Sequence, residues 1–385
     1  MRNVVLLGAS GSIGSQTLDL LGKDRLCFTL RAFSLGTRVE QIPAILKEFP
    51  TVTDVCVMHE SDAKEWSARY PSIRFHHGDE GLREIIDAVP CDLVVNALVG
   101  FAGLLPSVHA LEKNKILCLA NKESLVVGGQ FINRLLQNGK GKLYPIDSEH
   151  VGLAKCLARV SREDIESVWI TASGGSFRSL SRSELENVTP EMALNHPTWK
   201  MGAKITIDCA TMMNKGFEVI EANVLFGYPL ERTHIQMHGE SCVHAFVKKK
   251  DGSIVADVSS PDMHGPIAYA LYEGKAPFEV VHAKRLEDLG PYTFFEFNPS
   301  RYPAVGIALE AYRRGGTAPA ILNAANEVAV HGFLQGKLPF LGIEREIEIA
   351  LSSIPVIEDP SLRDVLEADL KTRHFVRERL EKRRS

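Results

Sequence analysis

The sequence predicts an α/β protein: an N-terminal Rossmann-like doubly wound sheet, a central α/β (α+β) domain and a C-terminal helical bundle. Three observations predict it. An apolar strand, a glycine turn and an amphipathic helix follow one another in NVVLLGASGSIGSQTLDLL. Strand-like and helix-like segments then alternate, which is typical of a parallel sheet with helices on both faces. The last third has helical apolar spacing with glycine stops.

Length and composition limit the possible functions. A chain of 385 residues is long enough for about two or three domains. Its 45% hydrophobic residues, 24% charged residues and net charge of −4 give no general attraction to nucleic acid or to a membrane surface. The seven cysteines are scattered without metal or redox spacing, so we expect reduced thiols and a cytoplasmic protein. No secretory leader is expected before the first strand.

The first element is a nucleotide-type turn. Gly8, Gly11 and Gly14 have the spacing G-x-x-G-x-x-G between a strand and a helix. Small residues there let backbone N–H groups reach a pyrophosphate at the helix N-terminus, although the same turn can exist without a ligand. The second predicted strand, 28–35, is followed by Gly36-Thr37-Arg38 and lacks the acid that binds the ribose of NAD. We therefore expect NADP.

The next strands are predicted at 54–58, 91–98 and 115–121. Ligands of such sheets lie at the carboxyl ends of the strands, which brings Asn96, the turn 97–100 and the segment 121–123 near the cofactor. Lys122 lies in that last segment. It is either an ordinary surface lysine or a member of the site, and the sequence favours neither.

Two carboxylates follow a proline-containing, extended-looking run, in YPIDSEH. Asp147 and Glu149 would project to one side of an extended chain, although such a pair is most often only a solvated turn. Glu218 lies in a helical pattern beside Asn214 and Lys215. The three carboxylates form an oxygen-rich set that suits Mg²⁺ or Mn²⁺ rather than zinc. His150 is expected to support this set rather than to ligate.

Two further segments indicate an anion site and a lid. TASGGSF, at 171–177, combines hydroxyl groups with glycine N–H groups of the kind that bind phosphate. NHPTWKMG, at 195–202, places a tryptophan in a short loop, as a lid over a ligand would. Taken alone, Trp199 is more simply interpreted as a core anchor.

The domain boundaries follow from these patterns. We predict a cofactor-binding domain at 1–146, a catalytic, metal- and substrate-binding domain at 147–283, a linker rich in proline and aromatic residues at 284–303, and a helical domain at 304–385.

Eight segments in the same order resemble the 1-deoxy-D-xylulose 5-phosphate reductoisomerase family along nearly the whole chain. They are GASGSIGSQTLDL, ALVGFAGL, NKESLV, PIDSEH, TASGGSF, NHPTWKMGAKI, DCATMMNKGFE and GGTAPAILNAANEVAV. The resemblance implies an NADPH- and Mg²⁺- or Mn²⁺-dependent enzyme. It would convert a phosphorylated ketose, 1-deoxy-D-xylulose 5-phosphate, into 2-C-methyl-D-erythritol 4-phosphate in non-mevalonate isoprenoid synthesis. A homodimer is implied as well.

The resemblance also assigns residues. The metal ligands would be Asp147, Glu149 and Glu218, and Lys122 would join them in catalysis. The predicted substrate-binding residues are Ser148, Glu149, Ser173, His196, Trp199, Cys209, Asn214, Lys215, Glu218 and Ser241. The predicted cofactor-binding residues are Gly8, Ser10, Gly11, Ser12, Ile13, Gly36, Thr37, Arg38, Ala97, Asn121, Lys122, Glu123 and Gly202. Cys209 stands where the family pattern has a serine, and His264 where it has an arginine.

Two other functions remain open at this point. One is a simple NADP-dependent two-domain dehydrogenase, in which the acidic residues serve only structure. The other is a non-catalytic NADP-sensing or scaffold protein, which would need neither a lid nor the acidic residues. Dependence of turnover on a divalent metal separates the first alternative from the reductoisomerase, and any turnover excludes the second.

Overall fold

A computed structural model describes residues 1–275, 277 and 290–382. Its internal contacts divide the chain into two compact units. The first unit contains Met1–Ser124, Gln130–Ser148 and the described part of Asp262–Ala283. The second contains Leu125–Gly129, Glu149–Pro261 and the described part of Lys284–Ser385. No helix among the described residues is both long enough and apolar enough to cross a lipid bilayer.

The first unit alternates strands and helices. In chain order they are β1 Arg2–Leu7, α1 Ser12–Lys23, β2 Phe28–Ser34, α2 Ile42–Glu48, β3 Asp54–Val57, α3 Glu60–Arg69, β4 Arg74–His77, α4 Gly78–Ala88, β5 Leu93–Asn96, α5 Leu104–Glu112, β6 Ile116–Leu119, α6 Lys122–Gln137 and β7 Lys142–Pro145. The strands form one parallel sheet in the order β4-β3-β2-β1-β5-β6-β7.

The central strands are apolar along their length, because helices cover both faces of a doubly wound sheet. Val4 to Leu7 in β1 and Leu93 to Val95 in β5 are fully buried. The chain leaves β1 toward one edge of the sheet and later returns to β5, which lies beside β1. The carboxyl ends of β1 and β5 therefore form the topological switch point, where such sheets bind ligands.

Apart from Leu125–Gly129 of α6, the second unit starts at Glu149, in the first turn of the helix that follows β7. Its elements are α7 Ser148–Leu157, β8 Ile165–Ala172, α8 Pro190–Leu194, α9 Ala203–Thr211, α10 Met213–Phe226, β9 Thr233–Met237, β10 Val243–Lys249 and β11 Ile254–Val258. The strands form a mixed sheet in the order β11-β10-β8-β9, with β8 and β9 parallel. One face of this sheet packs with α7 and α10 residues such as Leu153 and Ala222 into a buried core.

Helix α11, His264–Leu271, belongs to the first unit. It packs on α1, β6 and β7. The ring nitrogens of His264 lie 3.0 Å from the Asp19 carboxylate of α1 and 2.7 Å from the Asp262 carboxylate. Tyr272, just after the helix, contacts the ring of Phe28 edge-on. The contacts thus group 262–275 with the Rossmann-like sheet, whereas the domain division predicted from sequence groups these residues with 147–261.

The C-terminal residues form the predicted helical bundle. Its helices are α12 Pro303–Arg314, α13 Ala318–Leu334, α14 Gly342–Ser353 and α15 Leu362–Lys382. Helix α13 is buried nearly all round because it packs against α12, α14, α15 and α9. Of the predicted linker 284–303, residues 284–289 lie outside the described residues, and 290–302 have no regular secondary structure except a bridge from Phe295 to Met237.

Candidate active site

The acidic residues lie at the beginning of α7 and in the second turn of α10. Asp147 directly precedes α7, Glu149 lies in its first turn, and Glu218 is in α10. Each offers a carboxylate oxygen, and these three atoms all lie within 4.8 Å of one another. The expectation that Asp147 and Glu149 share one side of an extended chain is wrong, since β7 ends at Pro145 and the chain is helical from Ser148. The helical turn still brings the two carboxylates together.

Two buried lysines neutralise this set. Lys122 donates to Asp147 Oδ2 at 2.5 Å. Lys215 donates to Glu149 Oε1 at 3.0 Å and to a carboxylate oxygen of Glu218. Like charges so close raise each other's free energy unless a cation joins them, and the ammonium groups supply that charge here. Lys122, which the sequence left open, is therefore buried against the acidic set and is not a surface lysine.

A second group of possible metal-binding side chains lies next to the first. Asp147, His150 and Glu221 also bring one ligand atom each within 4.8 Å of one another. His150 and Glu221 are fully buried, and His150 Nε2 lies 2.9 Å from the backbone carbonyl of Glu218. A catalytic ion must reach its substrate, so the partly exposed group with Glu149 and Glu218 is the better candidate. The contact of His150 with the Glu218 carbonyl is compatible with a supporting role, which stays a prediction.

Helices α9 and α10 meet at a strained residue. Met212 is buried and has the left-handed φ of 64°, which is rare for a side chain of this kind. Its carbonyl accepts from the N–H groups of Lys215 and Gly216, so the second helix begins without a break. The junction carries Cys209 on one side and Asn214 and Lys215 on the other. Asn214 donates to Glu218 Oε1 at 2.5 Å.

The glycine turn after β8 lies against the end of α9. Gly174 and Gly175 have φ of 85° and 69°. A Cβ added at Gly175 would lie 2.5 Å from the carbonyl oxygen of Cys209, so only glycine permits this approach. The hydroxyl of Ser173 lies at the start of the turn and accepts from the N–H of Gly175 at 3.3 Å. Ser173 and Cys209 thus belong to two segments in direct contact.

His196 joins the predicted lid to this turn. Its Nδ1 accepts from the backbone N–H groups of Thr198 and Trp199 at 3.1 and 3.0 Å. The other nitrogen therefore carries the proton in the neutral ring and donates to Ser173 Oγ at 3.1 Å. Burial, and then the charge of Arg178, lower the pKa of His196. The ring is neutral at pH 7.

The remaining substrate-binding candidates are partly or fully buried. Trp199 is half-buried, with its ring 6.5 Å from that of His244. Ser241 is buried and has a left-handed φ of 52°. It lies in a loop that His238 fixes, because His238 Nε2 accepts from the backbone N–H groups of Cys242 and Val243. Ser148 is buried at the start of α7.

The glycine turn of the first unit lies at the switch point. Gly8 has φ of 87°, and a Cβ there would lie 2.6 Å from the Ala97 carbonyl oxygen after β5. A Cβ at Gly14 would lie 2.1 Å from the Gly8 carbonyl oxygen, so this glycine lets α1 pack closely on the turn. The N–H of Gly8 donates to Ser34 Oγ at the end of β2 at 2.9 Å. Ser10, Gly11, Ser12 and Ile13 follow on this turn and the first residues of α1.

Two asparagines hold the neighbouring loop. Asn121 caps α6 by accepting from the N–H of Ser124, and its Nδ2 donates to the carbonyls of Leu98 and Gly100. Asn96 donates to the Gly103 carbonyl at 2.8 Å and accepts from the N–H of Leu98. The loop after β5 is therefore held by one side chain at the end of β5 and by another that follows β6. Glu123 is buried beside Asn121, at 3.2 Å.

The last predicted cofactor residues are more exposed. Gly36, Thr37 and Arg38 follow β2, whose end bonds the glycine turn through Ser34, and the side chain of Arg38 is exposed. Gly202 is exposed at the N-terminal end of α9, in the second unit.

Sequence reasoning missed several side chains that shape these segments. Ser34, Met212, Glu221 and Arg178 were not singled out. Ser34 could have been found, because a small polar residue at the end of a second parallel strand faces the glycine turn. The left-handed conformation of Met212 leaves no signal in the sequence, since methionine has no preference for it.

Three protein-family models match this chain. The family model described as 1-deoxy-D-xylulose 5-phosphate reductoisomerase matches residues 4–129. A model of the C-terminal domain of the same enzyme matches 143–226, and another C-terminal domain model described as DXP reductoisomerase matches 258–375.

Curated proteins and solved structures agree with these matches. The 1-deoxy-D-xylulose 5-phosphate reductoisomerase of Bacillus pumilus is 46% identical over 98% of this chain and 99% of its own length. 1-Deoxy-D-xylulose 5-phosphate reductoisomerase 2 of Bacillus thuringiensis subsp. konkukian is 44% identical over 99% of this chain and 100% of its own length. A crystal structure of DOX-P reductoisomerase with NADPH, fosmidomycin and magnesium has a TM-score of 0.92 at 33% identity, covering 99% of this chain and 98% of its own. The structure of 1-deoxy-D-xylulose 5-phosphate reductoisomerase from Zymomonas mobilis with NADPH has a TM-score of 0.89 at 36% sequence identity, covering 99% of this chain and 99% of its own.

Proposed function

The chain belongs to the 1-deoxy-D-xylulose 5-phosphate reductoisomerase family, and from this premise we propose how its residues carry out the reaction of that family. The reaction rearranges 1-deoxy-D-xylulose 5-phosphate and reduces the product with NADPH to 2-C-methyl-D-erythritol 4-phosphate. It serves the synthesis of isoprenoid precursors by the non-mevalonate route. It requires a divalent metal, Mg²⁺ or Mn²⁺.

One observation carries this proposal. Three carboxylates from two segments of the chain bring oxygen atoms within 4.8 Å of one another, and two lysines lie against them. A plain dehydrogenase of the two-domain type has no use for such a set. An enzyme that must hold a carbonyl and a neighbouring hydroxyl of a sugar on one hard cation does need it.

The donor set fits Mg²⁺ or Mn²⁺. All three proposed ligands, Asp147, Glu149 and Glu218, offer carboxylate oxygen, which hard divalent cations prefer. Glu149 is partly exposed, with 18% of its side-chain surface accessible, so that a substrate can also reach an ion held there. When bound, such an ion polarises the carbonyl and stabilises the oxyanion that develops in the rearrangement.

The residues around the acidic set have separate tasks. Lys122 holds Asp147 in position and adds positive charge near the reacting oxygens. Ser173, His196, Asn214 and Lys215 are proposed to bind the phosphate group, because each presents a hydroxyl, imidazole, amide or ammonium donor. Ser148, Cys209 and Ser241 line the same proposed site. Trp199 covers the substrate when the 195–202 loop closes and excludes water.

NADPH is proposed to bind at the switch point of the first unit. The positive φ of Gly8 and its approach to Ala97 form a cradle that a side chain would fill. The N–H of Gly11 closes the turn on the Gly8 carbonyl, and the backbone N–H groups of Ser12 and Ile13 at the start of α1 meet the pyrophosphate. Arg38 meets the 2′-phosphate, and Asn121 shapes the loop that follows β5. NADPH supplies the hydride for the reduction.

We also propose that the protein is a homodimer acting in the cytoplasm. All seven cysteines are free thiols, as a reducing compartment allows. One face of the second unit's sheet offers an apolar surface: Phe246 lies opposite both Trp169 and Ala256 in the strand register, so all three share that face. Ile254 and Val258 of β11 are exposed there. A second copy of the chain would cover them.

The decisive test compares two buried glutamates of α10. NADPH consumption with 1-deoxy-D-xylulose 5-phosphate should require added Mg²⁺ or Mn²⁺. Glu218→Gln keeps the shape but removes a ligand charge, and we expect turnover to fall about 100-fold or more with NADPH affinity unchanged. Glu221→Gln is the matched control, since Glu221 faces His150 in the alternative group.

The outcomes are distinct. A larger rise in the Mn²⁺ activation constant for Glu221→Gln than for Glu218→Gln would move the ion to the group with His150. Turnover that survives chelation of divalent metals would instead leave a simple dehydrogenase.

A further inference from the structure

A segment of the C-terminal bundle reaches the helix that follows the lid. Helix α13, in the sequence GGTAPAILNAANEVAV, carries the fully buried Asn326. Its amide Nδ2 donates to Asp208 Oδ1 of α9 at 3.0 Å. Asp208 is itself buried, with 2% of its surface accessible. A carboxylate in such a place needs compensating donors, and one of them comes from a different part of the chain.

Asp208 also pairs with a lysine of its own helix. Lys204 Nζ lies 2.7 Å from Asp208 Oδ2, and the Lys204 side chain is mostly buried. The ammonium group also lies 5.4 Å from the ring centroid of Phe217 in α10. Since Phe217 directly precedes Glu218, the chain of contacts runs from α13 through α9 to the residue before a proposed metal ligand.

Helix stability does not explain this pair. Lys204 is the second residue of α9, where a positive charge opposes the helix dipole, and Asp208 lies toward the other end, where a negative charge opposes it too. An ion pair with the acid on the N-terminal side would serve the helix better. The two charges therefore serve contacts outside α9.

The position of α9 matters to the site at both ends. The 195–202 loop leads directly into its first residue, Ala203, and Gly202 precedes that residue. Cys209 lies in its last turn, against the glycine turn of Ser173. A shift of α9 would therefore displace the loop and the proposed phosphate-binding residues together.

We propose that Asn326 is a positioning residue for the reaction: through Asp208 and Lys204 it fixes α9, and thereby the 195–202 loop and the phosphate end of the substrate site. The inference rests on the proposed function. It gives the C-terminal bundle a specific task, because one buried amide connects it to the substrate-binding part of the second unit.

The chain offers a matched control on the same helix. Asn323 lies one turn before Asn326 and is equally buried. Its Nδ2 donates to Glu327 Oε1 at 2.8 Å, and Glu327 pairs with Arg373 of α15. The bond of Asn323 thus leads into the bundle and away from α9. Asn323→Leu removes the same chemical group at the same depth.

The experiment measures Asn326→Leu and Asn323→Leu in the full-length enzyme with Mg²⁺, NADPH and 1-deoxy-D-xylulose 5-phosphate. For Asn326→Leu we expect kcat/KM for the ketose phosphate to fall about 10-fold or more, because small misplacements of binding groups are costly. The KM for NADPH should stay within about twofold of wild type. Asn323→Leu should lower the urea midpoint of unfolding by a similar amount and leave kcat/KM near that of wild type.

Asp208→Asn adds a second measurement. It keeps the shape of the side chain but removes the charge that pairs with Lys204. We expect kcat/KM for the ketose phosphate to fall as in Asn326→Leu, with the KM for NADPH unchanged. An equal fall in kcat/KM for the ketose phosphate in Asn326→Leu and Asn323→Leu would overturn the positioning role. A KM for NADPH that rises as much as kcat/KM falls in Asn326→Leu would overturn it too. Absence of turnover in the wild-type enzyme would instead contradict the proposed function, so the two failures are distinguishable.

Discussion

Arg38 is the residue that we propose to select between the two nicotinamide cofactors. An acidic residue after the second strand of a Rossmann-like sheet accepts hydrogen bonds from the ribose 2′-hydroxyl of NAD. In this chain no acidic residue directly follows β2; the exposed guanidinium of Arg38 lies there instead. The end of β2 is anchored to the glycine turn through Ser34. A guanidinium binds a phosphate monoester through paired, charge-assisted hydrogen bonds, which the hydroxyl of NADH cannot provide.

Arg38→Ala should therefore separate the two cofactors. We expect the KM for NADPH to rise about 10-fold, which corresponds to about 1.4 kcal/mol for a lost charge-assisted contact. The KM for NADH should change less than twofold, because NADH has no 2′-phosphate. Steady-state rates at saturating ketose phosphate measure both constants. An unchanged KM for NADPH would remove Arg38 from the cofactor site.

At the residue scale, the sequence predicted which side chains belong to the candidate site better than it predicted their hydrogen-bond partners. Asp147, Glu149 and Glu218 could be chosen together, because their oxygen ligands and the neighbouring Asn214 and Lys215 form a recognisable pattern. The pairing of Lys122 with Asp147 could not be foreseen, since it depends on how α6 begins beside the end of β7. The protonated nitrogen of His196 follows only from the two N–H groups that its Nδ1 accepts.

At the scale of elements, the edge of the large sheet contains a charged cluster unrelated to the site. Asp54 of β3 is fully buried and bonds His76 of β4 at 2.9 Å and Arg74 at 2.8 Å. Burial raises the pKa of Asp54, but hydrogen bonds from His76, Arg74 and Thr53 outweigh it and lower the pKa to about 2. Hydrogen bonding to Asp54, with a smaller contribution from Glu84, raises the pKa of His76.

The signs of these shifts define a pH window for stability. The contribution of Asp54 is present above its unfolded pKa of about 3.9 and is lost as the pH falls through about 2. The contribution of His76 is complete below its unfolded pKa of about 6.5 and is lost as the pH rises through its raised value. The cluster therefore stabilises the sheet edge most between about pH 4 and 6.5.

Asp54→Asn should show this window. We expect the variant to lose about 2 kcal/mol of unfolding free energy at pH 5, with a smaller difference at pH 3 and at pH 9. Urea denaturation followed by circular dichroism at the three pH values measures it. Asp92→Asn, at an exposed position before β5, should show no such maximum. A difference that is constant with pH would show that shape, and not charge, matters at Asp54.

The elements themselves were largely predictable, and the exceptions have physical causes. Continuous apolar runs and the glycine turn identified β1, β2, β3, β5 and β6 to within a few residues, whereas the edge strand β4 was not predicted because its residues, Arg74–His77, are not an apolar run. The start of α7 was missed because Asp147 and Glu149 follow a proline-containing strand and read as its continuation. The return of α11 to the first unit depends on long-range contacts, such as His264 with Asp19 and Phe28 with Tyr272, for which local periodicity carries no information.

At the scale of the whole molecule, the exposed face of the second sheet argues for assembly. Trp169 stacks on Phe246 at 5.4 Å, and its ring is also 4.6 Å from that of His234. Beside this aromatic patch, Ile254 and Val258 of the edge strand β11 are 59% and 42% exposed. Soluble proteins rarely leave apolar side chains contiguous on a sheet face and its edge unless a partner covers them.

Ile254→Lys should therefore convert a dimer into a monomer. In the single chain the side chain is largely exposed, so the charge costs little in folding, whereas in a two-fold interface two ammonium groups would be desolvated. Analytical ultracentrifugation at about 10 µM should give twice the chain mass of 42.5 kDa for the wild type and the single mass for the variant. Leu370→Lys is the matched control, because Leu370 is 66% exposed on α15, in a different part of the second unit. It should leave the dimer intact. A monomeric wild type would refute the dimer, and an Ile254→Lys variant that stays dimeric would place the interface on another surface.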